Sequence, residues 1–183
     1  MSEPRIAPGT RHDVGPVNWA FAAISGLVTR SEPPKLFLTM GRHRRLFRGW
    51  LRFAGRLMPG GKLPRRETEL VILRVSHLRG CAYEREHHVG MGRRAGLSAE
   101  EIEHTAGAPA DGRWSERERA ILTAVDELVA DRGLGDATWA ALRAHLDERR
   151  AIELVLLVGH YDMLATFINT LQIAPDRKRN RRR

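Results

Sequence analysis

Apolar residues recur along this chain at helical intervals, and no run alternates apolar with polar residues between hairpin turn signals. The pattern predicts an all-α protein of about eight helices. Pro16 is placed to open a helix through Trp19, Ile24 and Leu27 that ends near Arg30. Ser31-Glu32-Pro33-Pro34 breaks it, and two further helices hinged near Gly41 run to Met58. The second of these carries Leu46, Trp50, Phe53 or Ala54, and Leu57 on one side. Pro59-Gly60-Gly61 interrupts the chain, and Pro64 restarts it as helix.

Residues 69–79 hold Leu70, Val71, Ile72, Leu73, Val75 and Leu78, too many for one surface stripe, so this helix should be largely buried. Gly80 ends the run and Cys81 opens another helix, for which Gly96 is a good C-terminal stop. Ser98-Ala99-Glu100-Glu101 and Ser115-Glu116-Arg117-Glu118 read as capping boxes. The second leads into an apolar face of Ala120, Ile121, Ala124, Val125, Leu128 and Val129. Asp136 is expected to cap a helix with Trp139, Leu142 and Leu146. The last helix, residues 148–173, is apolar all round over 154–158 and should be buried there on several sides. Gly159 should allow close backbone approach. His160 and Asp162 interrupt this run; His160 either borders a site or is a hydrogen-bonded core histidine, and the second reading is the simpler.

Composition narrows the class. A chain of 183 residues with 42% hydrophobic content suits one soluble domain with an N-terminal extension. One cysteine excludes an internal disulfide framework and fits a reducing cytoplasm. The start, MSEPRIAPGTRHDVGP, has no apolar core of a leader, and no eighteen consecutive apolar residues mark a membrane span. The net charge is +9, but the tail at 176–183 holds six Lys or Arg against one Asp, which leaves only +4 elsewhere. That tail reads as a solvated, disordered run without interleaved aromatics, so no specific nucleic-acid partner is expected. Six arginines (Arg42, Arg44, Arg45, Arg48, Arg52, Arg56) flank the apolar side of the helix before Met58. Such a helix either lies on a membrane or packs on its own domain with arginines reaching outward, and packing is the expectation. The organisation read from these features is a flexible start (1–15), a helical extension (16–63), a main domain (64–175) and a basic tail (176–183).

The candidate chemistry lies at the Gly80 break. Cys81, Glu84 and His88 follow at i, i+3 and i+7, within roughly 60° of one helix face. Glu69, one helix earlier, is positioned to fold back and meet them. A thiol at a helix N-terminus is biased toward thiolate, whereas a carboxylate one turn on opposes that bias. His88 can pass a proton that Glu69 or Glu84 holds. The competing reading of each residue is ordinary: an inert small cysteine, and a histidine or glutamate satisfied in the core. Tyr83 lies off the arc and reads as packing, His87 as exposed or capping.

Glu69, Cys81 twelve residues later, then Tyr83-Glu84 and His88, resemble the carboxymuconolactone decarboxylase and alkylhydroperoxidase D-like (AhpD-like) superfamily. The peroxidase branch of that superfamily carries Cys-x-x-Cys-x-x-x-His; here the second position is Glu84, closer to the decarboxylase-like form. The stretch GMGRRAGLSAEEI is also similar, and the resemblance covers residues 64–173. It implies a helical, oligomeric enzyme (a trimer or hexamer) without cofactor or metal, using Glu69, Cys81, Glu84 and His88. On that basis the expected activity is decarboxylation or proton transfer on a small lactone or keto acid of aromatic-compound breakdown. A thiol peroxidase lacking the resolving cysteine is the alternative, and a non-catalytic helical assembly module a third reading. A metal held by Cys81, Glu84 and His88 is a further reading, against which stands the metal-free character that the resemblance implies. A substrate carboxylate would need a cation, and neither Arg74 nor Arg85 is placed for it by helical phase.

Overall fold

A computed structural model describes residues 3–29 and 31–177; of the run 176–183, expected to be a disordered basic tail, residues 178–183 lie outside the described residues. Ten helices and no extended strand are present among them. They are α1 (Arg11–Val14), α2 (Pro16–Thr29), α3 (Lys35–Gly41), α4 (Arg44–Leu57), α5 (Arg65–Leu78), α6 (Ala82–Arg94), α7 (Ala99–His104), α8 (Glu116–Asp131), α9 (Asp136–Arg143) and α10 (Glu148–Leu171). The chain divides into two compact units, residues 1–54 with 168–183 and residues 55–167.

In the first unit α1, α2 and α3 pack on one another. Helix α1 forms in the stretch read as a flexible start: the Thr10 hydroxyl accepts from the Asp13 N–H while the Asp13 carboxylate accepts from the Thr10 N–H. An aspartate in place of the usual Glu or Gln hides this box in the sequence. Phe21, Phe37, Phe47 and Trp50 gather with ring centroids 5.5 to 6.2 Å apart. This cluster corrects the expected face of α4. Phe47 is fully buried, whereas Leu46 and Phe53 are exposed, because Phe47 rather than Leu46 stacks on Trp50. Two of the α4-region arginines serve the N-terminal segment: Arg42 donates to the Ala7 carbonyl, and Arg44 donates to those of His12 and Asp13. Past the last helix, Asp176 accepts from the Lys35 backbone N–H at 2.9 Å.

The second unit is built round α5, which packs against α6 and α8. Residues 67–76 are buried without interruption, as the density of apolar residues requires. Leu70 and Leu73 join Leu97, Ile102, Trp114 and Leu122 in the core, with Val89 against it. Both expected capping boxes form, at Ser98 and Ser115. Helix α9 starts one residue earlier than read: Gly135 is its N-cap and Asp136 is the first-turn acid. Its Trp139 is exposed, with Arg143 over the ring.

Helix α10 is buried on one side only. Leu154, Leu157 and Val158 are inside, but Val155 and Leu156 are 40% and 46% exposed, against the expectation for 154–158. Among the described residues nothing approaches Gly159 closely either; a Cβ there would meet open space. Asp162 is no isolated polar intrusion, since it pairs with Arg79 and Arg132. By average hydropathy α10 is long and apolar enough to cross a membrane although no eighteen apolar residues are consecutive, and 61% of its apolar window is buried.

Candidate active site

The Gly80 turn places the site. Backbone bonds from Arg79 to Val75, Gly80 to His77 and Cys81 to Ser76 close α5, and Gly80 takes φ +56°, which favours glycine. Cys81 then stands as the N-cap of α6, and the reversal lays α6 along α5. Glu69, Cys81, Glu84 and His88 are all buried.

His88 lies between two carboxylates. Its Nδ1 is 2.7 Å from Glu69 Oε2 across the turn, and its Nε2 is 3.3 Å from Glu84 Oε2 one helical turn back. Burial disfavours the charged ring, but the bonds to Glu69 and then Glu84 outweigh it and raise the imidazolium pKa to about 9. The ring is therefore charged near neutral pH. Both nitrogens then donate, one to each carboxylate.

Cys81 shares the turn without joining this array by a side-chain hydrogen bond among the described residues. Burial, the larger influence, and the charge of Glu84 push its thiol up to about 11 against the helix-start N–H groups of Glu84 and Tyr83. The expected contest between helix terminus and carboxylate thus goes to the neutral thiol.

Three neighbours complete the site. Arg65, on the first turn of α5, pairs with Glu69 Oε1. Tyr161 of α10 sets its ring edge-on to His88 with centroids 5.3 Å apart, and Met58 Sδ lies 3.8 Å from its hydroxyl. His160 is buried beside Tyr161; burial lowers its pKa to about 4 despite the pull of Glu84, so it is neutral. Tyr83 is buried with its ring 4.7 Å from that of the half-buried His87. The sequence reading missed Arg65, which the i, i+4 spacing to Glu69 could have signalled; Tyr161 gave no signal, because its approach depends on where α10 packs.

The two arginines weighed as substrate clamps are occupied elsewhere. Arg74 grips Asp126 at 2.6 and 2.7 Å and donates to the carbonyls of Thr105 and Gly107. Arg85 donates to Thr105 Oγ1 and the Ile102 carbonyl. Among the described residues no three His, Cys, Asp or Glu side chains are grouped to hold a metal ion. The metal reading also meets a chemical obstacle, since a carboxylate already engages each His88 nitrogen.

The chain is similar in sequence or fold to several known proteins. Residues 44–127 match the carboxymuconolactone decarboxylase family. No curated protein matches the chain. A protein of unknown function from Agrobacterium tumefaciens is 25% identical, covering 71% of this chain and 90% of that one, with a TM-score of 0.66. The alkylhydroperoxidase AhpD core of a peroxidase-related protein from Ralstonia eutropha JMP134 shares the fold at 19% identity and TM-score 0.83, covering 96% and 93% of the two chains. The debrominase Bmp8 does so at 17% identity and TM-score 0.79, covering 93% and 91%. The matched segment and the all-helical fold agree with the resemblance carried by Glu69, Cys81 and His88: residues 44–127 are similar to the carboxymuconolactone decarboxylase family, and the fold is that of the AhpD core.

Proposed function

We propose that the chain is a cofactor-independent, carboxymuconolactone decarboxylase-like enzyme in which Glu69, Glu84 and His88 transfer a proton on a small lactone or keto acid. The observation that carries this reading is the buried imidazole with a carboxylate on each nitrogen, at 2.7 and 3.3 Å. Loss of CO2 from an acid conjugated to a carbonyl breaks one C–C bond and leaves its electron pair as an enolate. That carbanion needs one proton at carbon. A charged His88 supplies it, and Nε2, on the longer of its two contacts, is the nitrogen better able to turn to substrate. Glu69 on Nδ1 fixes the ring and steadies its positive charge; Glu84 accepts from Nε2–H and keeps that proton in place until substrate arrives, and solvent returns a proton to the ring after product leaves. Cys81, as a neutral thiol, lines the turn and can donate to the enolate oxygen.

The test is CO2 release, and deuterium uptake at the product carbon in D2O, across lactone and keto acids. His88→Gln should lower both on the order of 10²- to 10⁴-fold. Peroxide reduction without either signal overturns the reading. That outcome would support the alternative, an AhpD-like thiol peroxidase, which the Cys81 position at the start of α6 favours. In that reaction the Cys81 thiolate takes one peroxide oxygen to become sulfenic acid and releases an alcohol. With Glu84 in place of a second cysteine, an external thiol must restore it.

The same reading makes the protein a cytoplasmic homo-oligomer acting on a small molecule, without membrane or specific nucleic-acid partners. Exposed Ile152, Val155, Leu156 and Met163 share one face of α10 and support self-association. A purely structural assembly module would use that face and leave the buried array idle.

A further inference from the structure

The three arginines of α5 are not used alike. Arg66 spends its guanidinium on Glu101, Glu118 and the Gly96 carbonyl, and Arg74 on Asp126 and two carbonyls. Arg65 differs. Its Nη2 meets Oε1 of the fully buried Glu69 and lies 3.6 Å from Met91 Sδ, a weak acceptor. Its Nε and Nη1 make no hydrogen bond among the described residues, and 40% of its side chain is exposed. One end of this guanidinium therefore touches the buried array while donors remain at the solvent side.

We propose that Arg65 binds the carboxylate of the substrate, and that this contact raises the proton affinity of the Glu69–His88–Glu84 array. The inference rests on the proposed function in taking the substrate to be a small carboxylic acid. A guanidinium presents donors in a planar fork that matches a carboxylate, which a point charge does not. Glu69 is the link: Oε1 on Arg65, Oε2 on His88 Nδ1 at 2.7 Å. A second carboxylate on Arg65 loosens its hold on Glu69 and brings negative charge to the site. Both effects favour the imidazolium.

The other groups facing His88 leave this link in control. Glu84 meets Nε2 from α6. From α10, His160 is neutral above about pH 4, and burial, with the charges of Glu84 and Glu69, raises Tyr161 well above its ordinary range. Cys81 stays a thiol to about 11. Among the described residues Arg65 is the cation in ion-pair contact with the array.

The probe is levulinate, a simple keto acid, with 2-pentanone as its uncharged counterpart, each titrated into the full chain. The His88 ring is followed by nitrogen-15 NMR against pH, and binding by calorimetry near pH 9 in two buffers of different ionisation heat. Levulinate should move the His88 midpoint upward by about half a pH unit or more and take up protons, whereas 2-pentanone should do neither. Arg65→Met should abolish the shift and weaken levulinate at least about tenfold. Should Arg65→Met fail to fold, Arg65→Lys decides: it keeps the charge and should lose a large part of the affinity with the fork. An unmoved His88 in wild type, or levulinate bound and sensed equally in either variant, overturns the proposal. Levulinate binding through Arg65 with no CO2 released from any acid overturns the reaction class instead and leaves the clamp standing.

Discussion

His88 Nδ1 and Glu69 Oε2 lie 2.7 Å apart although they are nineteen positions apart in sequence, because the Gly80 turn folds α6 back along α5. Neither side chain is appreciably exposed, so their attraction is little screened. This pair ties the proton state of the site to the stability of the core helix.

The consequence is a pH-dependent stability with a defined sign. The His88 pKa rises from 6.5 in an ordinary setting to about 9 in the fold, with Glu69 and then Glu84 outweighing burial. The folded state thus holds the proton more tightly than the unfolded one. The stabilisation is fully present below about pH 6.5 and is lost as pH rises through 9. Urea unfolding followed by circular dichroism should show stability falling over that window by on the order of 2–3 kcal/mol. Glu69→Gln should flatten the dependence and cost on the order of 3 kcal/mol near neutrality, since it leaves a buried imidazolium with one carboxylate fewer. An unchanged slope in Glu69→Gln would show that the pair does not set the titration.

Cys81 gives a second expectation. Its thiol is held up chiefly by burial and also by Glu84, to about 11. Alkylation by iodoacetamide should be slow at pH 7 and still rising beyond pH 9. Glu84→Gln should lower the apparent thiol pKa and speed alkylation at pH 8 several-fold, while burial keeps the rate below that of a free thiol. Rapid alkylation of wild type at pH 7, together with sulfenic acid formed by peroxide, would mean that the helix terminus prevails and would favour peroxidase chemistry. Glu84→Cys should form a disulfide with Cys81 only on oxidation, detected by mass spectrometry.

Much of the site was legible because its geometry is local. Gly80 marks the reversal, the apolar density of 70–75 marks a buried helix, and i, i+3, i+7 spacing puts Cys81, Glu84 and His88 on one face. The capping boxes at Ser98 and Ser115 were equally plain. What escaped depends on packing between elements distant in sequence. Tyr161 reaches His88 from α10, and nothing in the sequence near either residue encodes that approach. The face of α4 escaped for a related reason. Stripes through Leu46 and through Phe47 are both helical, and only the rings of Phe21 and Phe37 select Phe47. On α10 an all-apolar run has no periodicity from which to read an exposed side, so Val155 and Leu156 could not be told from Leu154 and Leu157.

That exposed side supplies the last prediction. Ile152, Val155, Leu156 and Met163 fall at i, i+3, i+4 and i+11, on one face, and Gly159 at i+7 leaves open space between them. A continuous apolar strip of this kind is costly to leave in water, and a second copy of the same face would cover it. Leu156→Glu puts a charge in the strip without touching the buried Leu154, Leu157 or Val158. Light scattering coupled to size exclusion should show wild type above 20.7 kDa and Leu156→Glu shifted toward that mass, with helical circular dichroism unchanged. Leu154→Glu is the contrast: its position is fully buried, so it should unfold the chain rather than dissociate it. A wild type that is monomeric at every concentration, or a Leu156→Glu variant that keeps the wild-type mass, would remove α10 from self-association.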